Sequence, residues 1–178
     1  MAANIEKFDF DPEKLRQKYR EERDKRLRPD GNDQYKEVKG DFSYFVEDPY
    51  VEEKTERASL KLHTEIAIIG GGFGGMLAAA RIREAGFDDF KIIEKGGDFG
   101  GTWYWNRYPG ARCDTESHAY SYFFSEEIFK EWEWSERYPG HVEIRKYLNY
   151  VAQKYELNKD IKLNTEVTSA NYNASDNN

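Results

Sequence analysis

The chain has 178 residues, a net charge of -7 and 38% hydrophobic residues, which suits one globular domain with an added segment. The acidic balance disfavours a nucleic-acid partner, because phosphate binding needs clustered Lys and Arg. With one cysteine, Cys113, the chain can form neither an intramolecular disulfide nor a cysteine zinc cluster. No stretch resembles a signal peptide or a membrane span, so we expect a cytoplasmic chain that contacts neither membrane nor nucleic acid.

The first predicted element is a helix over about residues 11–28, within an N-terminal extension that we place at residues 1–60. Asp11 can cap this helix, and Pro12 suits its first position. Its apolar residues are sparse and its charges recur at helical spacing, so a solvated surface helix is favoured over a partner-binding one. Residues 29–60 hold turn signals and a small cluster of four aromatic rings, which predict an irregular arm pinned to the main body by Phe42, Tyr44, Phe45 and Tyr50.

A β-α-β unit is predicted from residue 61 onward, in a second domain that we place at residues 61–178. The apolar run Ile66–Ile69 is typical of a strand buried on both faces of a parallel sheet. A helix is expected to follow and to end at Gly86. Residues 90–94 predict a second buried strand. The predicted fold class is therefore α/β, with a Rossmann-like parallel sheet.

Further elements are predicted after residue 141. Apolar side chains recur at helical spacing and predict an amphipathic helix through Ile144, Tyr147, Leu148, Val151 and Tyr155. Residues 161–178 offer two short strand-like pieces and then polar residues without a closing element. We therefore expect a domain that is incomplete at its C-terminal end.

The sequence GGGFGG lies between the first predicted strand and the helix, where Gly70, Gly72 and Gly75 follow the G-x-G-x-x-G spacing of dinucleotide folds. The first glycine permits a tight turn, the second lets a pyrophosphate approach the backbone, and the third lets the helix pack on the strand. The pyrophosphate would lie at the helix N-terminus, where free N–H groups favour an anion. Glu94 ends the second strand, about where an acidic residue binds the adenosine ribose. These residues predict a dinucleotide site and leave FAD and a nicotinamide both open.

Residues 96–124 resemble the segment after the second strand in the FAD domain of Baeyer-Villiger monooxygenases, a branch of the class B flavoprotein monooxygenases. The matching motifs are Gly100-Gly101-Thr102-Trp103, Tyr108-Pro109-Gly110, Arg112-Cys113-Asp114 and Glu116-Ser117, with Tyr120 six residues after Asp114. The resemblance covers about residues 61–172, and the arm before it is similar to the extension of larger family members. It implies the N-terminal part of a Rossmann-like FAD-binding domain.

The resemblance also implies which residues bind cofactors. In the family, the stretch at residues 102–105 lines the FAD, Asp114 and Tyr120 contact the flavin, and residues 112–114 lie where NADPH approaches. The backbone of Val167, at the start of a later strand, would meet the adenine end of FAD. The full predicted set is Gly70, Gly72, Phe73, Gly75, Glu94, Gly101, Thr102, Trp103, Tyr104, Trp105, Arg112, Cys113, Asp114, Tyr120 and Val167.

Two of these assignments compete with simpler interpretations. An aromatic run is more often core than cofactor wall, although the adjoining glycine pattern favours the wall here. Cys113 is explained better by packing than by a reactive thiol. His63, His118 and His141 show no metal-ligand spacing, so no metal site is predicted. No serine, cysteine or threonine has a nucleophile motif around it, so no catalytic residue is predicted.

The activity implied by the resemblance is an FAD-dependent, NADPH-using monooxygenase that converts a ketone into an ester or lactone with O2, through a peroxyflavin. That reaction needs a second glycine pattern for NADPH, a distal arginine and a linker with histidine and tryptophan, and we find none of these here. We therefore expect an N-terminal piece that does not turn over alone, with a C-terminal partner chain if the gene is split. An inactive remnant that binds nucleotide or mediates interactions, and a nicotinamide-only dehydrogenase, remain as alternatives.

Overall fold

The computed structural model describes residues 9–36, 38–52 and 57–174, and the chain forms two compact units, Met1–Glu47 and Asp48–Asn178. The first unit contains helix α1, Pro12–Asp24, which begins where predicted because Asp11 accepts the backbone N–H of Glu13 at 3.0 Å. The helix ends four residues before the predicted residue 28. Pro29 disfavours helical backbone only at Arg28, so it sets an outer limit for the helix and does not account for its end at Asp24. No residue of α1 is buried, in agreement with a surface helix.

The rest of the first unit is short 3-10 helix and irregular chain. The two 3-10 helices are Gly31–Gln34 and Gly40–Val46. Phe42, Tyr44 and Phe45 lie in the second of them and are 63, 61 and 64% exposed. The rings of Tyr44 and Phe45 pack on each other, with centroids 3.9 Å apart. Tyr50, the fourth ring of the predicted cluster, belongs to the second unit.

The second unit is built on a three-stranded parallel sheet. Its strands are β1, Ile66–Ile69, β2, Phe90–Ile93, and β3, Ile161–Lys162. They lie side by side in the order β1-β2-β3. Ile68 lies opposite Ile92, and Ile92 lies opposite Ile161, so their side chains share one face of the sheet. The helices are α2, Phe73–Glu84, α3, Thr102–Trp105, α4, Glu126–Glu131, and α5, His141–Lys154. The predicted β-α-β unit and the α/β fold class are confirmed.

The hydrophobic core lies on the face of the sheet that α2 and α5 cover. Phe90 and Ile92 contribute from β2, and both are fully buried. The apolar stripe of α5 faces them, which confirms the predicted amphipathic helix. Its buried residues are Ile144, Tyr147, Leu148, Val151 and Ala152. This core fixes the ends of the strands, where the candidate site lies.

The prediction that the first two strands are buried on both faces was wrong. Ile69 is 66% exposed, Ala67 is exposed, and Lys91 and Ile93 are only half-buried. The helices lie on the opposite face, whereas this face borders residues 57–65 and a cavity of about 520 Å³. A continuous apolar run therefore marked a strand here without showing how many of its faces are covered.

The later strand expected at Val167 is also absent from the structure. β3 has two residues, and residues 163–173 form no regular structure. Asn164 adopts a left-handed backbone conformation, with a φ of 50°, and this conformation ends the extended run. The polar residues that follow have no neighbouring strand among the described residues to pair with.

Candidate cofactor site

The glycine turn between β1 and α2 forms the first wall of the site. Gly70 has a φ of 98°, a conformation that residues with a side chain rarely adopt. Its N–H donates to the carbonyl of Ile93 at 2.8 Å, so the turn is anchored to the end of β2. A Cβ atom on Gly75 would lie 1.8 Å from the carbonyl oxygen of Gly70. The first and third glycines therefore serve the tight turn and the close helix packing that their spacing predicts.

A second glycine loop, residues 96–101, lies against the first. The N–H of Gly100 donates to the carbonyl of Gly71 at 3.0 Å. Gly101 has a φ of 52°, and a Cβ atom on it would lie 3.0 Å from the Cα of Gly72. The two backbones thus approach each other at the position of the second fingerprint glycine. Backbone atoms, rather than side chains, therefore line the surface formed by residues 70–75 and 96–101. We refer to this surface as the cradle.

Glu94 ties these two loops together from the end of β2. It is 5% exposed, and its Oε2 accepts the N–H of Gly71 at 2.5 Å. Its Oε1 accepts the N–H of Gly96 at 2.6 Å. The sequence predicted a ribose ligand at this position and missed the structural role. Each carboxylate oxygen can accept a second hydrogen bond, so both remain able to receive a ribose hydroxyl.

The N-terminus of α2 opens onto this cradle. Gly72 is its N-cap residue, and no side chain in the described part of the chain caps the first turn. The first N–H groups of a helix have no partner within the helix and attract an anion. The open first turn and the two glycine backbones therefore offer backbone N–H groups of the kind that can bind a phosphate.

An aromatic cluster lies beside the cradle and brings together three of the predicted residues, Phe73, Trp103 and Tyr120. Trp103 donates through Nε1 to the Tyr120 hydroxyl at 3.0 Å, and the two rings meet edge to face. The Phe73 ring lies 4.8 Å from that of Tyr120. The Tyr122 hydroxyl donates to the Phe73 carbonyl at 2.8 Å. Burial is the main cause that raises the pKa of Tyr122, and the neighbouring phenols are a smaller one. The cluster therefore includes Phe73, the first residue of α2.

The side chains of α3 point in different directions. Thr102 is exposed, whereas Tyr104 is 2% exposed. The phenol of Tyr104 donates to Asp48 at 2.6 Å. Burial, and to a smaller extent this hydrogen bond, raise the pKa of Tyr104 to about 12. The carbonyl of Trp105 accepts the hydroxyl of Tyr50 at 3.2 Å. The Tyr104 ring thus packs on residues 48–50; the sequence predicted that Tyr50 would contact the main body, but not that Asp48 would bind Tyr104.

The side chains of residues 112–114 do not lie together: the first and third are exposed and the second is buried. The exposed guanidinium of Arg112 pairs with the carboxylate of Glu136 and the carbonyl of Tyr138. Cys113 is 5% exposed, and its Sγ accepts the N–H of Thr115 at 3.4 Å, which agrees with the packing interpretation. Asp114 is exposed. Of the three side chains, the outer two are therefore accessible to a ligand.

Val167 lies outside the cradle, on the segment that follows β3. It is 36% exposed. Two residues before it, Thr165 donates its N–H to the carbonyl of Glu94 at 2.9 Å. The segment therefore passes the end of β2, and the backbone contact predicted for Val167 stays a prediction.

No helix within the described residues, 9–36, 38–52 and 57–174, is long and apolar enough to cross a membrane. No group of three or more His, Cys, Asp or Glu side chains in those ranges could hold a metal ion.

Comparison with known proteins identifies the family. Residues 68–132 match a family described as an NAD(P)-binding Rossmann-like domain. A Baeyer-Villiger monooxygenase from Streptomyces coelicolor is 43% identical over 159 residues, which are 89% of this chain and 26% of that protein. This chain belongs to the Baeyer-Villiger monooxygenase family. The resemblance drawn from residues 96–124 is thus confirmed.

Two further proteins match a shorter part of this chain. An acetone monooxygenase (methyl acetate-forming) from Gordonia sp. is 48% identical over 106 residues, 60% of this chain and 20% of that protein. The crystal structure of OTEMO in complex with FAD and NADP matches with a TM-score of 0.59 and 45% identity, over 63% of this chain and 21% of that one. The chain spans about a quarter of the length of the curated relatives that it matches.

Proposed function

We propose that this chain binds FAD and that the full-length protein is an NADPH-using flavin monooxygenase, which converts a ketone into an ester or lactone with O2. The observation that carries the proposal is the cradle formed by residues 70–75 and 96–101, with Glu94 between the two loops. A similar structure holds FAD and NADP, and a relative is named for forming methyl acetate from acetone. Both support the proposal.

The diphosphate of FAD would bind at the N-terminus of α2. Its negative charge is matched there by open backbone N–H groups and by the positive end of the helix dipole. The chain as a whole is acidic, so this local arrangement supplies the attraction that net charge does not. Gly70, Gly72 and Gly75 would act through the backbone, by leaving room for the phosphates.

Glu94 would bind the adenosine ribose through the lone pairs that its two backbone contacts leave free. A carboxylate that is already fixed by two N–H groups loses little further freedom when a hydroxyl binds. The backbone of Val167 would contact the adenine. This contact requires the segment after β3 to stay where Thr165 anchors it.

The flavin side of the site would lie against the second glycine loop and α3. We assign Gly101, Thr102, Trp103, Tyr104 and Trp105 to it, together with Phe73, Asp114 and Tyr120. Trp103 and Tyr120 would act as one rigid unit because they are joined by a hydrogen bond. Tyr104 would contribute through its backbone. Residues 112–114 would face the approaching NADPH, with Arg112 and Asp114 as the accessible side chains.

FAD, when bound, supplies the chemistry that activates O2 after reduction by NADPH. The residues of this chain would bind and orient it, and the buried cluster around Trp103 would keep water away from that side of the site. No residue of the chain is assigned a proton transfer.

We further propose that these 178 residues do not complete the reaction alone. They contain one G-x-G-x-x-G pattern, whereas FAD and NADPH each need a site. The second nucleotide site would come from residues outside the 178, in the same chain or in a partner chain. Within the 178 residues we assign 1–60 to an N-terminal extension and 61–178 to part of the FAD-binding domain.

The test is to purify the full-length protein, record its flavin absorbance, and follow NADPH oxidation with a panel of ketones. We expect one FAD per chain, ketone-dependent NADPH oxidation, and esters or lactones as products. The 178-residue chain, run as a control, should bind FAD without turnover. A full-length protein that binds NADPH and no flavin would contradict the proposal, and substantial turnover by the 178 residues would contradict its second part.

A further inference from the structure

Residues 48–51, with the sequence DPYV, lie across the loop that leads into α3, and we refer to them as the strap. They precede the Rossmann-like sheet by more than a dozen residues, and nothing in their sequence marks a cofactor site. Asp48 Oδ1 accepts the N–H of Tyr50 at 2.9 Å and closes a turn within the strap. The second oxygen of Asp48 is thereby left to face the loop.

That oxygen joins the strap to the loop at two points. Asp48 Oδ2 accepts the Tyr104 hydroxyl at 2.6 Å and the N–H of Gly97 at 2.9 Å. The Tyr104 hydroxyl in turn accepts the same Gly97 N–H, at 3.0 Å. A Cβ atom on Gly97 would lie 2.5 Å from Val51 Cγ2, so the strap and the loop are in close contact. The carboxylate therefore fixes both Gly97, near the start of the loop, and Tyr104 in α3.

Tyr50 adds a second set of contacts on the other side of Tyr104. Its ring meets the Tyr104 ring edge to face, with centroids 5.7 Å apart, and its hydroxyl donates to the carbonyl of Trp105. The guanidinium of Arg107 lies 3.6 Å from the centre of the Tyr50 ring. Arg107 also donates through Nε to the Tyr104 carbonyl at 2.8 Å. The strap thus holds α3 through the side chain of Tyr104 and through the backbone carbonyl of Trp105.

The loop that the strap holds is the one that completes the candidate site. Gly96 binds Glu94, Gly100 binds Gly71, and Gly101 contacts Gly72. Release of the Tyr104 side chain would loosen α3, residues 102–105, while Gly100 and Gly101 stay held against Gly71 and Gly72 and residues 70–75 stay anchored to the sheet. The strap is therefore placed to affect the part of the site beyond the adenosine end more than the diphosphate cradle.

We propose that Asp48 is a positioning residue for FAD, which acts through Tyr104 to hold α3, residues 102–105, in the conformation that receives the flavin. The inference rests on the proposed binding of FAD. The inference predicts that loss of Asp48 changes the affinity for FAD and the affinity for ADP by different amounts. Loss of Asp48 weakens binding of FAD, which extends along the loop, and leaves binding of ADP, which needs the cradle and Glu94, nearly unchanged.

The test compares four variants of the full-length protein, Asp48→Ala, Asp48→Asn, Tyr104→Phe and the exposed control Asp33→Ala. Dissociation constants for FAD and for ADP are measured by fluorescence titration, after circular dichroism has shown that each variant is folded. We expect Asp48→Ala and Tyr104→Phe to raise the FAD constant at least tenfold and the ADP constant less than threefold. Asp48→Asn should give an FAD constant between those of Asp48→Ala and the wild type, because its amide oxygen can accept from Tyr104 and Gly97 whereas its NH2 group cannot accept the N–H of Tyr50. Asp33→Ala should change neither constant.

The outcomes separate the inference from the proposed function. If the wild-type protein binds FAD and Asp48→Ala leaves its affinity unchanged, the positioning role is wrong and the proposed function stands. An equal loss of FAD and ADP affinity would show a structural role and would also overturn the inference. A wild-type protein that binds neither ligand would overturn both. Tyr104→Phe removes a single hydroxyl, so it decides the matter if Asp48→Ala does not fold.

Discussion

Replacement of Gly75 by alanine tests whether the close packing of α2 on the glycine turn is required for the cofactor site. A Cβ atom at this position would lie 1.8 Å from the carbonyl oxygen of Gly70, and contacts below 3.0 Å are essentially never seen. The two atoms must therefore separate by at least 1.2 Å, the difference between 3.0 and 1.8 Å. Both atoms are fixed to the backbone, so no rotamer change relieves the clash.

The expected magnitude follows from two opposing effects. Overpacking of this kind costs about 1–3 kcal/mol and occasionally more, whereas alanine in a helix interior gains about 0.5–1 kcal/mol over glycine. The clash here is severe, so we expect the free energy of unfolding to fall by about 2 kcal/mol or more. Since α2 must move away from the turn, the dissociation constant for FAD should rise at least about tenfold, which corresponds to about 1.4 kcal/mol.

The neighbouring residue supplies a matched control. Gly74 lies in the same helix turn, and a Cβ atom on it would meet nothing within 4 Å. Gly74→Ala should therefore leave the free energy of unfolding unchanged or raise it by about 0.5–1 kcal/mol. Urea unfolding of the apoprotein and fluorescence titration with FAD measure both quantities. Equal stability and equal FAD affinity for Gly75→Ala and Gly74→Ala would refute the reasoning.

Two further predictions concern single side chains. Glu94→Ala should weaken FAD binding by about 1.5–3 kcal/mol through loss of charged hydrogen bonds to the ribose, and it should lower apoprotein stability because the N–H groups of Gly71 and Gly96 lose their acceptor. Unchanged flavin occupancy, equal to that of the exposed control Glu133→Ala, would remove Glu94 from the site. The raised pKa of Tyr104, about 12 against an ordinary 10.0, means that its contribution to stability is complete below pH 10 and is lost as the pH rises from 10 to 12. The wild-type free energy of unfolding should therefore fall more steeply over that range than that of Tyr104→Phe, and parallel curves would contradict this.

The sequence predicted the elements whose signals are local. The turn at residues 70–75, the helix after it and Glu94 at the end of β2 all follow from spacing within about 30 residues. The amphipathic pattern of α5 was equally clear, because its buried residues repeat along one helix face. The close contact of Gly72 with Gly101 is different in kind. It depends on the path of two loops, although the positive φ of Gly101 is the type of constraint that a Gly-Gly pair signals.

The contacts that the sequence missed join distant parts of the chain. Asp48 and Tyr104 are separated by 56 residues, and an Asp-Pro pair by itself indicates only a turn. Tyr104 lies in an aromatic run, and nothing local shows which ring of that run faces a cofactor and which faces the strap. The exposure of Ile69 was missed for a related reason, because an apolar strand does not reveal whether another element covers its second face.

The most direct test of the account is a crystal structure of the full-length protein with FAD bound. The account predicts that the diphosphate accepts hydrogen bonds from backbone N–H groups in the first turn of α2, that the ribose hydroxyls donate to Glu94, and that the flavin lies beside Trp103. A diphosphate bound elsewhere in the protein, with residues 70–75 free of ligand, would contradict the central claim.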